Sequence, residues 1–302
     1  MDQNIPGLHH VTAICGAPQA NVSFYRDVLG QSLIKKTVNF DDPGTYHLYY
    51  GDKLGNPGTI LTFFPFVNAG PGRAGPGMAS AFAYELGKVE FEAAVARLGA
   101  LAARSDELET RFGARVLSLH DPDGATVELV ETDGPADGHG FHSVTLWERD
   151  PEKTARLLTE VFGYVAVGEE RHGPVTRSRL QAPGQERGNV IDLIRHDAPV
   201  QGRSGAGTIH HVAFRATTHE AQVAWQDRLA TAGHRTTEVI DRQYFNAIYF
   251  REPGGVLFEI ATDPPGFAVD EPSDALGQRL MLPPQYEPMR ARIEAALPPL
   301  SA

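Results

Sequence analysis

Between residues 241 and 263 the chain reads DRQYFNAIYFREPGGVLFEIATD, and its apolar and polar positions follow a strand, turn, strand pattern. Tyr244 to Arg251 is rich in aromatic and β-branched residues, Pro253-Gly254-Gly255 is a turn, and Val256 to Ala261 is a second apolar run. Glu259 lies inside that run, between Phe258 and Ile260. Alternation along a strand puts Leu257, Glu259 and Ala261 on one face and Phe258 and Ile260 on the other. An unpaired carboxylate buried there is costly, so Glu259 needs a cation or a strong donor. The expected partner is a divalent metal.

The pattern recurs at long range. Leu8-His9-His10-Val11-Thr12 reappears as Ile209-His210-His211-Val212-Ala213 and, more weakly, as Phe141-His142-Ser143-Val144-Thr145. Each copy reads as a strand followed by a helix: Ala20 to Leu29, His219 to Ala232 and Pro151 to Phe162, closed by Gly30, Gly233 and Gly163. A further copy has its strand at Ala79 to Leu86, its helix at Glu90 to Leu98, and later strands at Val116 to Leu119 and Ala125 to Val130. There the turn His120 to Gly124 corresponds to Arg251 to Gly255 and leads to Glu128, the counterpart of Glu259. Such self-similarity indicates a module of strand, helix and three strands, duplicated twice. The expected fold is therefore α+β, with four βαβββ modules. Modules one and two occupy 1–135, modules three and four 136–265, and a tail 266–302 carries a short helix at Pro288 to Leu297. Gly/Pro-rich connectors are expected at 68–77, 133–140 and 198–207.

Length and composition narrow the function. The 302 residues, 41% hydrophobic and 22% charged, describe an ordinary globular chain with ample core. A net charge of -11 without a Lys/Arg cluster argues against nucleic acid or an anionic membrane as partner. No run approaches a membrane span, and MDQNIPGLHH lacks the regions of a signal peptide. Cys15, the sole cysteine, is expected to be a small buried hydrophobe, and the lack of a disulfide framework fits a cytoplasmic location. No nucleophile elbow, phosphate loop or dinucleotide fingerprint is present; the glycines at 70–77 read as linker. The long tail and module edges fit a symmetric homodimer.

Four such modules, with HHV on the first strand and FEIATD on the last, resemble the vicinal oxygen chelate superfamily of glyoxalases, bleomycin resistance proteins and extradiol dioxygenases. GLHHVTAICG, TYHLYYGDKLGNPGTILTFFPF, HHVAF and DRQYFNAIYFREPGGVLFEIATD are most similar to its hydroquinone-type ring-cleaving dioxygenases. The resemblance covers nearly the whole chain and implies two cup-shaped mixed sheets.

Aligning the modules assigns the metal ligands. His10 in module one corresponds to His211 in module four, and Glu259 to Thr62. Module two has Ala81 and module three Ser143 at the histidine position. Only modules one and four together supply two imidazoles and a carboxylate, so they are expected to share a cup holding His10, His211 and Glu259. Two neutral imidazoles and one carboxylate on one face of an octahedral ion leave adjacent positions open, the arrangement of non-haem Fe(II) oxygenases; Mn(II) accepts the same ligands. Modules two and three would form a metal-free cup. His9 and His210 point to the opposite face unless a bulge intervenes, whereas Thr12 shares the face of His10 and could donate a hydrogen bond near the metal.

The resemblance adds that Arg242 and Tyr249 supply polar groups beside a bound aromatic, and that His9 and His210 stand behind the ligands. His47 has no role assigned, and His120, His139, His142, His172, His196, His219 and His234 are expected to be solvated. The implied activity is Fe(II)-dependent cleavage of a hydroquinone or related diol by dioxygen. The alternatives are a glyoxalase-type isomerase or lyase, whose sites often carry a fourth protein ligand, and a non-catalytic small-molecule binding protein.

Overall fold

The computed structural model of the protein describes residues 4–184, 187–196 and 200–301, so positions 198 and 199 of the third expected connector lie outside the described residues. Module one contributes β1 (Leu8–Cys15), β2 (Ser32–Asn39), β3 (Asp42–Gly51) and β4 (Ile60–Pro65), with α1 (Pro18–Val22) after β1. Module two contributes β5 (Met78–Gly87), α2 (Lys88–Ala100), β6 (Glu109–Arg111), β7 (Ala114–His120) and β8 (Thr126–Thr132). Module three contributes β9 (Asp137–Trp147), α3 (Pro151–Arg156), β10 (Val165–His172), β11 (Val175–Gln181) and β12 (Val190–His196). Module four contributes β13 (Thr208–Ala216), α4 (His219–Thr231), β14 (Ile240–Asp241), β15 (Phe245–Arg251) and β16 (Leu257–Pro265).

The strands form two curled mixed sheets, ordered β14-β15-β16-β13-β1-β4-β3-β2 and β10-β11-β12-β9-β5-β8-β7-β6. Each sheet therefore joins one module from each half of the chain, one with four and two with three. The large apolar core holds side chains from both sheets and from the helices, including Phe63, Phe82, Phe141, Phe162 and Phe214. A smaller cluster, with Tyr49, Tyr244, Phe245 and Phe267, belongs to the first sheet and its tail.

Local chemistry accounts for most element ends. Gly30, Gly163 and Gly233 all take positive φ, at 79°, 80° and 85°, as helix-closing glycines do. Thr218 caps α4 by accepting from Ala221 N–H. Two expected helices differ from simple α-helix: after α1 and α3 the chain widens into π turns at Ser23–Val28 and Leu157–Val161. The connector expected at 133–140 is shorter, because β9 starts at Asp137, paired with Leu86. The other two connectors run against each other, with Arg73 paired to Arg203. A Cβ at Gly75 would sit 2.4 Å from Gly202 N, so side chains there would force them apart.

The tail fastens to the first sheet. Met281 N–H donates to Lys36 O, Tyr286 OH to Phe40 O, and the helix α5 (Arg290–Ala296) follows. Its anchor is Lys35, whose side chain is 0% exposed and whose Nζ lies 2.6 Å from Asp270 and 2.5 Å from Glu271. No described helix is long and apolar enough to cross a membrane.

Two measurements test this packing. Lys35→Ala would leave the Glu271 carboxylate buried without its cation, and urea denaturation should show a loss of roughly 3–5 kcal/mol. A loss below about 1 kcal/mol, as for an exposed pair, would contradict the anchor. The second concerns Glu148, whose two oxygens are buried with no hydrogen-bond partner and which packs so closely on Gly254 that a Cβ there would lie 1.7 Å from Oε2. Burial, with the charge of Glu252, pushes the Glu148 carboxyl up to about 8. The folded state thus keeps a proton that the unfolded chain releases near pH ~4.3. The associated stability is full below that pH and is lost as pH rises through the folded value. Glu148→Gln should therefore raise Tm over wild type at about pH 8.5 and much less at about pH 5; equal shifts at both would contradict the assignment.

Candidate metal centre

His10 lies on β1 and His211 on β13, the neighbouring antiparallel strands through which modules one and four meet. Their register passes from Leu8↔Phe214 to His10↔Ala213, and from Thr12↔His211 to Ala13↔Ile209. His9 and His210 are each skipped, so each is the extra residue of a β-bulge. The bulges override strict alternation. His9 and His10 both contact Phe245, at centroid distances of 5.2 and 5.0 Å.

Each pair is then coupled through Nδ1: His9 to His10 at 2.9 Å and His210 to His211 at 2.8 Å. A cation at His10 Nε2 would require the hydrogen of that ring on Nδ1, where His9 Nδ1 is placed to accept it. Second-layer partners of this kind fix the tautomer and ring angle of ligating histidines.

The third group comes from β16, which pairs in parallel with β13 so that Glu259 stands opposite Ala213. Module one repeats this register, with Thr62 on β4 opposite Thr12 on β1. Glu259 Oε2 lies 2.9 Å from His211 Nε2 and 3.4 Å from His10 Nε2, and the two Nε2 atoms are 3.3 Å apart. Burial opposes ionisation of Glu259, but the two imidazoles outweigh it and hold the carboxyl well below the usual range. Burial lowers His211 in turn, against the pull of Glu259. Despite the short distances, neither Glu259 oxygen has a hydrogen-bond partner of acceptable geometry, and the residue is 0% exposed. A wholly buried carboxylate with orphaned oxygens, facing two imidazole nitrogens, fits a divalent cation better than it fits a hydrogen-bond network.

A cavity of about 270 Å³ opens onto these groups. Its walls include Phe40, Phe64, Phe66, Phe245 and Leu257, and its polar residues include Arg242 and Tyr249. Arg242 Nε donates to Tyr249 OH at 3.3 Å and Nη1 to Asp41 at 3.2 Å. Burial, then the charge of Glu259, raises the Tyr249 phenol far above its ordinary value, so it stays protonated. Thr12 lines the cavity too, as does His47.

All the site residues expected from sequence thus surround one cavity, with His9 behind it. His47 is the residue that reasoning left without a role; its spacing of two from Tyr49 on a strand was the available signal. His142 corrects the solvated reading. It occupies the same bulge position on β9, its Nδ1 lies 3.0 Å from Ser143 Oγ, and burial lowers it to about 4. His120, His139, His196 and His234 are half-buried, while His172 and His219 are exposed as expected.

The second cup holds carboxylates without a histidine pair. Glu128 is bound by Arg111 at 2.7 Å. Asp192, which β12 places opposite Thr145 in the register that Glu259 has with Ala213, is bound by Arg177 at 2.9 Å and Arg179 at 2.8 Å. Asp192 escaped the repeat comparison, although a charge inside the run VIDLI is the same signal that revealed Glu259.

This fold and this register define the chain's class: it belongs to the Glyoxalase/Bleomycin resistance protein/Dioxygenase superfamily, whose model matches residues 7–129 and 140–260. Among its relatives, the protein named "Putative ring-cleaving dioxygenase MhqO" of Bacillus subtilis (strain 168) is 46% identical over 99% of this chain and 98% of its own length. Chlorohydroquinone/hydroquinone 1,2-dioxygenase of Sphingobium indicum is 33% identical, over 95% and 94%. The crystal structure of a "putative dioxygenase" from Bacillus subtilis superposes with a TM-score of 0.91 at 44% identity, covering 99% of this chain and 98% of that one. Glyoxalase I from Zea mays, at 14% identity and a TM-score of 0.64 over 85% of this chain and 92% of its own, shares the fold.

The donor set predicts stabilisation by metal. Saturating Fe(II), added anaerobically, should raise Tm in proportion to ln(1 + [metal]/Kd), about 2.7 kcal/mol at a hundredfold excess over Kd. Calorimetry of His10→Ala, His211→Ala and Glu259→Ala should show that rise lost; an undiminished rise in Glu259→Ala would place the metal elsewhere.

Proposed function

We propose that this protein is an Fe(II)-dependent dioxygenase that opens the ring of a hydroquinone or a related dihydroxylated aromatic, with both atoms of dioxygen entering the product. The observation that carries this reading is the orphaned, fully buried Glu259 carboxylate facing His10 and His211 at an aromatic-lined cavity. The printed names of relatives that align along nearly their whole length support it. Bound Fe(II) would supply Lewis acidity toward a phenolic oxygen and a redox link between the ring and dioxygen. His10, His211 and Glu259 would hold it, and Mn(II) is accommodated by the same donors.

The chain's other residues do the positioning. Phe40, Phe64, Phe66 and Phe245 present apolar faces to a planar ring and keep water from it. Arg242 brings a guanidinium to the cavity, where negative charge gathers on the diol oxygens and on reduced dioxygen. Tyr249, still protonated, donates a hydrogen bond and can release that proton at the departing or attacking oxygen. His210, at the open side, links His211 to solvent. Thr62, engaged by Thr12 and His47 rather than free to ligate, leaves three protein donors, which disfavours the four-ligand lyase arrangement.

Dioxygen uptake by anaerobically Fe(II)-reconstituted protein, given hydroquinone and catechol panels, tests the proposal. Uptake should require iron and vanish in His10→Ala, His211→Ala and Glu259→Ala. In Tyr249→Phe and Arg242→Ala, kcat should fall by roughly 10²-fold. Tight metal binding with no uptake on any aromatic diol would refute the oxygenase reading and favour the lyase.

A further inference from the structure

The cavity wall carries a hydrogen-bond chain that none of these roles uses. Tyr49 OH lies 2.9 Å from His47 Nδ1, His47 Nε2 lies 2.9 Å from Thr62 Oγ1, and Thr62 Oγ1 lies 2.8 Å from Thr12 Oγ1. Three links join four groups, and each group brings one hydrogen when the imidazole is neutral. Burial keeps His47 well below its ordinary value and hence neutral. One hydrogen is therefore left over, on Tyr49, on Thr12, or on Thr62 where that hydroxyl accepts from both neighbours.

The two ends are not equivalent. If every donor points from Thr12 toward Tyr49, the spare hydrogen sits on Tyr49. That side chain is 1% exposed and packed against Phe267 at 5.2 Å. Tyr49 lines the cavity as Thr12 does, but a phenol is a far stronger acid than an alcohol and so the better donor to an imidazole nitrogen, which favours Tyr49 O–H donating to His47 Nδ1. If the donors point the other way, Tyr49 donates to His47 Nδ1, His47 Nε2–H to Thr62, and Thr62 to Thr12. The spare hydrogen is then on Thr12, two residues beyond His10 on the same strand face and lining the cavity, rather than on Thr62, which does not line it and would hold the hydrogen away from any bound oxygen.

We propose that Tyr49, His47 and Thr62 polarise this chain toward the cavity and so fix Thr12 as a hydrogen-bond donor to an anionic oxygen bound beside the His10–His211–Glu259 group. Tyr49 and His47 are positioning residues that act through Thr62 and Thr12. Thr62 holds the place that Glu259 holds in module four, so module one offers a directed neutral donor where module four offers a negative ligand. The donor role rests on the ring-opening reading given above, whereas the polarity of the chain does not.

The test reads the tautomer of His47 directly. Long-range ¹H–¹⁵N spectra of the full-length, Zn(II)-loaded, ¹⁵N-labelled protein, with His47 assigned by His47→Asn, should show Nε2 protonated and Nδ1 unprotonated. In Tyr49→Phe, which keeps the ring packing, the Nδ1 resonance should shift as its donor is lost. The Fe(II)-reconstituted variant should lose about 10- to 100-fold in kcat for hydroquinone, the usual effect of removing a second-layer partner, with a smaller change in KM. A His47 protonated at Nδ1 in the wild type, or wild-type kcat in Tyr49→Phe, overturns the proposal. A wild type that turns over no diol while His47 carries its hydrogen on Nε2 refutes the ring-opening reading and upholds the polarity, so the two failures are distinguishable.

Discussion

A carboxylate buried in a β-sheet needs positive charge or aimed donors within reach, and both cups are arranged around that requirement. The first surrounds Glu259 with the Nε2 atoms of His10 and His211, brought face to face because equivalent positions of two copies of one module meet across β1 and β13. The second meets the same need with guanidinium groups: Arg111 on Glu128, and Arg177 and Arg179 on Asp192. Arginine forks fill their space and satisfy the oxygens outright. Imidazoles bring lone pairs and leave the carboxylate oxygens unpartnered. One scaffold thus carries a self-neutralised cup beside one whose carboxylate oxygens are left unpartnered.

The outer layers keep that geometry stiff. Lys35, Asp270 and Glu271 tie the tail to β2, and Phe267 of the same tail stacks on Tyr244 and meets Tyr49 behind the cavity wall. The tail therefore buttresses the residues beside the site. Gly55 makes room for it, since a Cβ there would approach Phe267 to 2.6 Å.

Much of this was legible in the chain itself, for a specific reason. Duplication preserves register, so counting from His10 to Thr62 and from His211 to Glu259 recovers the pairing of β1 with β4 and of β13 with β16. The αL glycines at 30, 163 and 233 were readable because few other residues close a helix that way. Bulges are different. Whether His9, His210 and His142 turn inward depends on how two distant strands are paired, and no local pattern records it. The same holds for Lys35, whose partners lie more than two hundred residues away. The polar partners of His47 needed no such reach, since Tyr49 is two residues off and Thr62 fifteen.

The separation of 201 residues between His10 and His211 has a bearing on how the molecule comes into being. As the chain is synthesised, module one emerges about 200 residues before its sheet neighbour. Until β13 docks, His10 has no opposing imidazole and Glu259 does not yet exist. Domains generally fold in the order in which they are made, and this interleaved connectivity defers the meeting of His10, His211 and Glu259 until β16 has been made. A product that ends before β16 therefore cannot bring the three side chains together, and the buried carboxylate is never made without the two imidazoles that face it.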